Sequence, residues 1–292
     1  MTTPLPLLRE EAVTHGRLEP VSPLVRRIVA PNAGPFTYHG TGTFVVGRGR
    51  VAIIDPGPDL VPHVDALLDG IRGETVSHIV ITHTHRDHSP AASEVKRRTG
   101  ATVVGCGPHG VAGEAVEEGA DTAYAPDEEM YEGDAVTGPG WTLRAVGTPG
   151  HTSNHLCFAF AEEATLFSGD HVMGWSTTVV APPDGDMAAY RASLAKLLQR
   201  DERLYRPTHG PAIGDPKAHV AAYAAHREER EDAILARLAA GDETVEAIVR
   251  AVYVGLDPRL FRAAGRSVLA HLIELVARGA VATDGTRYRL DR

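Results

Sequence analysis

Residues 82–88 read Thr82-His83-Thr84-His85-Arg86-Asp87-His88, directly behind the apolar run Ile79-Val80-Ile81. Three imidazoles and a carboxylate within six positions, at the mouth of a predicted strand, are the donor types that bind zinc near neutral pH. A tight turn there can aim His83 and His85 at one point and Asp87 and His88 at a neighbouring one. Two such points suggest two metals, and paired metals suggest hydrolysis. A solvated His-rich loop is the ordinary alternative. Four donors in register behind a buried strand weigh against it.

Further ligands to one centre come from separate strand ends, beside turns. His151 follows Thr148-Pro149-Gly150, Asp170 follows Phe167-Ser168-Gly169, and His209 sits in Pro207-Thr208-His209-Gly210-Pro211. The neighbouring glycines let the backbone approach closely.

The elements that must position these residues are legible in outline. Residues 43–46 and 51–54 flank Gly47-Arg48-Gly49-Arg50 as a hairpin, and Asp55-Pro56-Gly57-Pro58 stops the second strand. Residues 59–72 carry Leu60, Val64, Leu67, Leu68 and Ile71 at helical spacing. A short strand at 79–81 leads into the His-rich turn, and Ser89-Pro90 opens a helix to about residue 98. Residues 101–104, 141–146, 156–160 and 165–167 read as further strands. The pattern predicts an α/β domain, a mixed sheet layered with helices. Composition changes after Gly214-Asp215-Pro216. Helices are expected at 217–240, 243–255 and 260–278, then a hairpin around Asp284-Gly285. We divide the chain into residues 1–215 and a winged-helix-like module, 216–292.

With 292 residues, 43% of them hydrophobic, the chain can bury a sizeable core and a small second unit. A net charge of -9 argues against a surface that coats nucleic acid. The chain from residue 217 on is nearly neutral, which disfavours duplex DNA as a partner and favours a packing or substrate-covering role. Arg259, Arg262 and Arg266 keep RNA contact open. Cys106 and Cys157 form no CxxC pair, so a zinc ribbon is excluded, and free buried thiols in a reducing compartment are expected. Met1-Thr2-Thr3-Pro4 lacks a leader pattern and no run approaches 18 apolar residues, so no membrane span and a cytoplasmic location are expected. Self-association into a homo-oligomer stays open.

The run from His83 to His88 resembles the HxHxDH motif of the metallo-β-lactamase superfamily. His151, Asp170 and His209 follow in the order of its later ligand motifs, and Asp55 matches its first motif. The resemblance spans about residues 35–215 and implies a four-layer αββα sandwich with the site at one edge. By position, His83, His85 and His151 would hold a first zinc, and Asp87, His88 and His209 a second. Asp170 would bridge both, and Asp55 would orient a ligand from outside. Thr37-Tyr38-His39-Gly40-Thr41-Gly42-Thr43, Ser168-Gly169-Asp170, Ser176-Thr177-Thr178-Val179 and the winged-helix-like tail are similar to the group typified by beta-lactamase-like protein two. Its animal members are endoribonucleases on single-stranded RNA, and some fungal relatives are thioesterases on polyketide carriers.

The chemistry so implied is a hydroxide bridging two Zn2+ ions, with Mn2+ or Fe as other candidates, attacking an ester, thioester or phosphodiester. Asp87 and Asp170 are the carboxylates expected to act in catalysis. A single-stranded RNA endonuclease and a glyoxalase-II-like acyl thioesterase are the finer alternatives. A non-enzymatic DNA-binding regulator is the competing class, and seven converging ligands argue against it. The chain departs from its relatives at Thr208, where Gly is usual, and at Gly42, where Asn is frequent. His155 is read as a pocket-lining candidate. His171 is expected to point away from the bridging carboxylate. His78 is read as structural, and His109, His219, His226 and His271 as surface or helix-packing residues. Residues 172–190, with Trp175 and Tyr190, form a candidate substrate wall, although Trp175 suits a core role equally well.

Overall fold

A computed structural model of the chain describes residues 5–9, 13–109 and 119–291; Met1-Thr2-Thr3-Pro4, read above for a leader, lies outside them. Apolar alternation builds two sheets. The first has the order β1 (Glu19–Pro20), β2 (Val25–Val29), β3 (Gly42–Val46), β4 (Arg50–Ile54), β5 (Thr75–Ile81), β6 (Thr102–Gly105) and β7 (Glu128–Glu129). The β3–β4 hairpin is antiparallel as expected. From β4 to β6 the pairing turns parallel, because α1 (Val61–Gly70) and α2 (Ala91–Thr99) carry the chain back across the sheet. β5 begins four residues before the apolar run that announces it. Thr75, Ser77 and His78 hide its first half from a hydropathy reading, yet the parallel ladder with β4 extends back to Thr75.

The second sheet has the order β12 (Leu204–Pro207), β11 (Thr165–Gly169), β10 (Leu156–Phe160), β9 (Trp141–Gly147) and β8 (Ala135–Gly138). β11 and β12 are parallel, joined through α3 (Met187–Leu198). The sequence reading missed α3. It follows the turn-rich Pro182-Pro183-Asp184-Gly185, and its start is marked only by Asp186, whose carboxylate accepts the Ala189 N–H at 2.7 Å. Tyr190 lies on this helix, fully buried, and its hydroxyl donates to His171 O at 2.9 Å. It is therefore a core residue and not a substrate wall.

Phe44, Trp141, Leu143, Phe158, Phe160 and Phe167 fill the space between the sheets, in one core with Val64, Leu67 and Val95 of α1 and α2. Full burial of each such side chain contributes about 1.5–3 kcal/mol, enough collectively to fix the sandwich. Tyr190 and Leu194 of α3, with Val220 and Tyr223 of α4 (Pro216–Ala239), cover the outer face of the second sheet. The result is the four-layer αββα sandwich. Beyond it, α5 (Val245–Val252), α6 (Phe261–Ala277) and the hairpin of β13 (Val281–Thr283) and β14 (Tyr288–Leu290) pack on the far half of α4. Ile234 and Leu238 lie in this third core, so α4 serves two cores. The hairpin loop holds four residues where Asp284-Gly285 suggested two, because the Asp284 carboxylate accepts the N–H groups of Thr286 and Arg287. Among the described residues there are six α-helices, none long and apolar enough to cross a membrane.

The residues singled out for chemistry lie at strand ends. Asp55 follows β4, residues 82–88 follow β5, Asp170 follows β11 and His209 follows β12. Their convergence comes from the parallel strands, whose carboxyl ends share one edge of the sandwich.

Candidate metal centre

Asp55 anchors the arrangement. Its carboxylate is fully buried and accepts the Thr82 N–H at 2.9 Å, the Thr82 hydroxyl at 2.7 Å and the Thr208 hydroxyl at 3.1 Å. His88 Nδ1–H completes the set at 2.9 Å. The residue holds φ at +46°, a conformation that Asp tolerates better than most side chains. Thr208, the departure from Gly in the last-ligand loop, keeps a negative φ among the described residues. The loop needs no glycine there, and the threonine hydroxyl adds a donor to Asp55.

Hydrogen bonds on the far side of each ring fix which nitrogen faces the centre. Thr82 Oγ1 accepts from His83 Nδ1 at 3.0 Å, Val179 O from His151 Nδ1 at 2.7 Å, and Gly40 O from His209 Nδ1 at 3.3 Å. The Nε2 atoms of His83, His88, His151 and His209 are thereby turned inward. His83 Nε2 lies 3.0 Å and His151 Nε2 3.1 Å from His85 Nδ1. Three imidazole nitrogens gathered this closely could share one metal ion. Beside them Asp87 Oδ2 lies 3.0 Å from His209 Nε2 and 3.6 Å from His88 Nε2. Asp170 Oδ2 reaches both sets, at 3.5 Å from His209, 3.6 Å from His88 and 3.8 Å from His151. The structure thus brings all seven sequence-predicted donors together.

The donor set fits a divalent metal pair on grounds internal to the protein. Nε2 of His88 and Oδ1 of Asp170 are buried without a hydrogen-bond partner. Such atoms are costly unless something else satisfies them. Electrostatics agree. Burial lowers the affinity of His209 for a proton, but the Asp170 and Asp87 carboxylates prevail and raise its pKa to about 9. Burial likewise opposes charge on His88, and the carboxylates of Asp87, Asp170 and Asp55 hold it well above the usual imidazole range. Burial pushes His83 far down, helped by His88 and His85. Without metal the pocket draws protons to the positions a cation would otherwise fill.

A pH dependence follows. Protonated His209 stabilises the metal-free fold fully below about pH 6.5, and this contribution is lost as pH rises through about 9. Metal must displace those protons, so its affinity rises with pH towards about 9. At pH 7 zinc binding is expected to release about two protons, from His88 and His209. Calorimetry in buffers of different ionisation enthalpy measures this, and a buffer-independent heat would contradict it.

One further histidine supports the centre from behind. His155, read as pocket-lining, is buried: its Nε2 accepts the Asp170 N–H at 3.2 Å, and its Nδ1 donates to Thr148 Oγ1 at 2.8 Å. It holds the main chain of Asp170 in place. His171 is buried with its ring 4.6 Å from that of Tyr190, and burial, then His151, lowers its pKa to about 3. His109 is not a surface residue; it is buried and pairs with Thr84 Oγ1 at 2.9 Å, beside His83 and His85. Nothing in the sequence marks His109, since its partner is 25 residues away. Trp175 stacks on Tyr38 with ring centres 4.9 Å apart. A Cβ at Gly210, where φ is +83°, would lie 2.6 Å from Trp175 Cδ1, so glycine lets the indole rest on the loop carrying His209.

Two other features carry no comparable chemistry. Glu231, His271 and Glu274 also converge. Arg191 already pairs with both carboxylates, at 2.7 and 3.3 Å, and Arg278 reaches Glu231 at 2.6 Å. This is an ion network joining α3, α4 and α6. A cavity of about 300 Å³ lies at the C-terminal hairpin, lined by Glu243, Asp284 and Arg287 among others, away from the seven donors.

Comparison with known proteins agrees with this geometry. Residues 37–209 match the model of the metallo-beta-lactamase superfamily, and residues 244–289 match the beta-lactamase associated winged helix domain. The chain belongs to the metallo-beta-lactamase superfamily and is a hydrolase of that family. An atrochrysone carboxyl ACP thioesterase of Aspergillus terreus is 30% identical over 259 residues, 83% of this chain and 76% of that relative. Another, from a Cryptosporiopsis species, is 31% identical over 226 residues, 76% of this chain and 65% of that relative. In architecture the chain is similar to a beta-lactamase domain protein from Burkholderia ambifaria, with a TM-score of 0.79, 22% identity and 94% of each chain covered. A metallo-beta-lactamase family protein from Thermus thermophilus gives 0.75 at 22% identity, over 93% of this chain and all of that one.

Proposed function

We propose that the protein is a dinuclear metal hydrolase, most simply a dizinc enzyme, that cleaves an acyl thioester presented on a carrier arm. One observation carries the metal reading: seven donors converge at the sandwich edge with their inward atoms buried and partly unsatisfied. The thioester reading is supported by the relatives named thioesterases of an acyl carrier protein, at 30–31% identity.

His83, His85 and His151 would hold one ion, Asp87, His88 and His209 the second, and Asp170 Oδ2 would touch both. Bound there, the metals would supply Lewis acidity and a water acidic enough to attack near neutral pH. The remaining work falls to the chain. Burial raises the pKa of Asp87, but His88 and His209 hold its carboxyl well below the usual range. The ionised carboxylate can accept a hydrogen bond from the attacking water and so orient it. Water adds to the acyl carbon, the carbon–sulfur bond breaks, and an acid and a thiol result. A thiol has a pKa of about 8.5, so sulfur can depart as thiolate without a strong general acid, unlike an alkoxide. The Tyr38–Trp175 stack walls the side of the site next to His209. Cys106 and Cys157 are buried and unbridged, which supports a reducing, cytoplasmic setting.

The test offers zinc-loaded protein an acyl-pantetheine thioester and, separately, unstructured RNA. Thioester cleavage that Asp87→Ala reduces at least about 100-fold is expected. Cleavage of RNA but not of thioester would replace this reading with a nuclease.

A further inference from the structure

His219, Tyr223 and Arg227 stand four residues apart along α4, on one stripe of the helix, and all three are buried. All three reach the segment that follows Asp170. His219 Nε2 donates to Met173 O at 3.0 Å, and Tyr223 donates to Met173 O at 2.6 Å while its oxygen accepts the Met173 N–H at 3.1 Å. Arg227 Nη2 donates to Thr178 O, and its guanidinium lies 5.2 Å over the Tyr190 ring. The segment so held is the inner support of the metal centre. Thr178 Oγ1 donates to Asp170 O at 2.8 Å, and the next carbonyl, Val179 O, accepts from His151 Nδ1.

Arg227 is an expensive residue to place there. Among the described residues no carboxylate lies within ion-pair distance of it, and its Nε has no hydrogen-bond partner. A buried cation without an acid partner weakens a fold that an apolar side chain would pack more cheaply. Local rules broken in this way tend to mark functional positions.

We propose that Tyr223 and Arg227 are positioning residues of the metal centre. They brace residues 173–179 from α4, and through Val179 O they set the orientation of His151 and the affinity of the group His83, His85 and His151. The inference rests on the metal reading above. It also gives the long helix a role in the site, since its far half belongs to the C-terminal core.

The test uses full-length Arg227→Met, Arg227→Lys and Tyr223→Phe proteins. Zinc affinities of the two positions are measured by chelator competition, with His151→Ala marking which constant belongs to the first group. Arg227→Met is expected to weaken that constant about tenfold or more and leave the other within about twofold. Arg227→Lys, which keeps a cationic donor, should recover most of the loss. kcat should fall with KM unchanged. Unchanged affinity and kcat in Arg227→Met, even with a lowered melting temperature, would overturn the proposal and leave Arg227 a packing residue. Should Arg227→Met not fold, Tyr223→Phe decides: a several-fold loss at the same constant supports the brace, and wild-type affinity sinks it. A wild-type protein that binds no zinc sinks the metal reading itself, whereas two bound ions with indifferent variants sink only the brace.

Discussion

Asp170→Asn is expected to bind close to one metal ion where the native protein binds two, and to lose at least about 100-fold in kcat. The substitution keeps shape and removes charge. Oδ2 of Asp170 is within 3.8 Å of ligand nitrogens on His88, His151 and His209, so one carboxylate serves both groups. A neutral amide cannot balance two divalent ions there. The main-chain anchors of residue 170 do not involve its side chain, since His155 Nε2 accepts its N–H and Thr178 donates to its carbonyl. The metal-free variant should therefore keep its fold, but melt lower than the native protein near pH 6.5, because protonated His88 and His209 lose an acid partner. Metal analysis and steady-state kinetics measure both halves, and full loading at native turnover would remove Asp170 from the centre.

Asp55→Ala is expected to act chiefly on the fold. It strips a fully buried carboxylate from four donors on the His-rich turn that follows β5 and on the last-ligand loop. Breaking a buried pair of this kind costs about 3–5 kcal/mol, which corresponds to a melting temperature lower by on the order of 10 °C. His88 also loses the partner that turns its Nε2 inward, so the second metal group should weaken. Thr208→Val removes only one donor and should cost about 1 kcal/mol. Equal losses in the two variants, seen by thermal melting, would show that Asp55 is not the hub of this network.

The site was largely legible because its chemistry is encoded in short segments. Residues 83–88 occupy one turn, and His151, Asp170 and His209 each announce themselves beside glycine at a strand end. Apolar alternation and helical spacing gave a mixed sheet layered with helices, and the four-layer order came only from the resemblance to the metallo-β-lactamase superfamily. What escaped was support that depends on long-range placement. His155 reads as a pocket-lining residue and His109 as a surface or helix-packing one, yet each meets a ligand segment through a partner 7 to 25 residues away once the sheets pack. α3 escaped because its segment follows a turn-rich stretch and is rich in alanine, with Tyr190 appearing exposed until α4 closes over it. Thr208 reads as a disturbance of a glycine loop, and only the approach of β4 to β12 through Asp55 shows its hydroxyl to be a fourth donor.

The most direct test of the account is a titration of zinc into metal-stripped protein, followed by hydrolysis of an acyl-pantetheine thioester. The account predicts activity that appears with metal, rises to a plateau at two ions per chain and is higher at pH 8 than at pH 6. Turnover in the stripped protein, or a plateau at one ion that a second does not change, would contradict it.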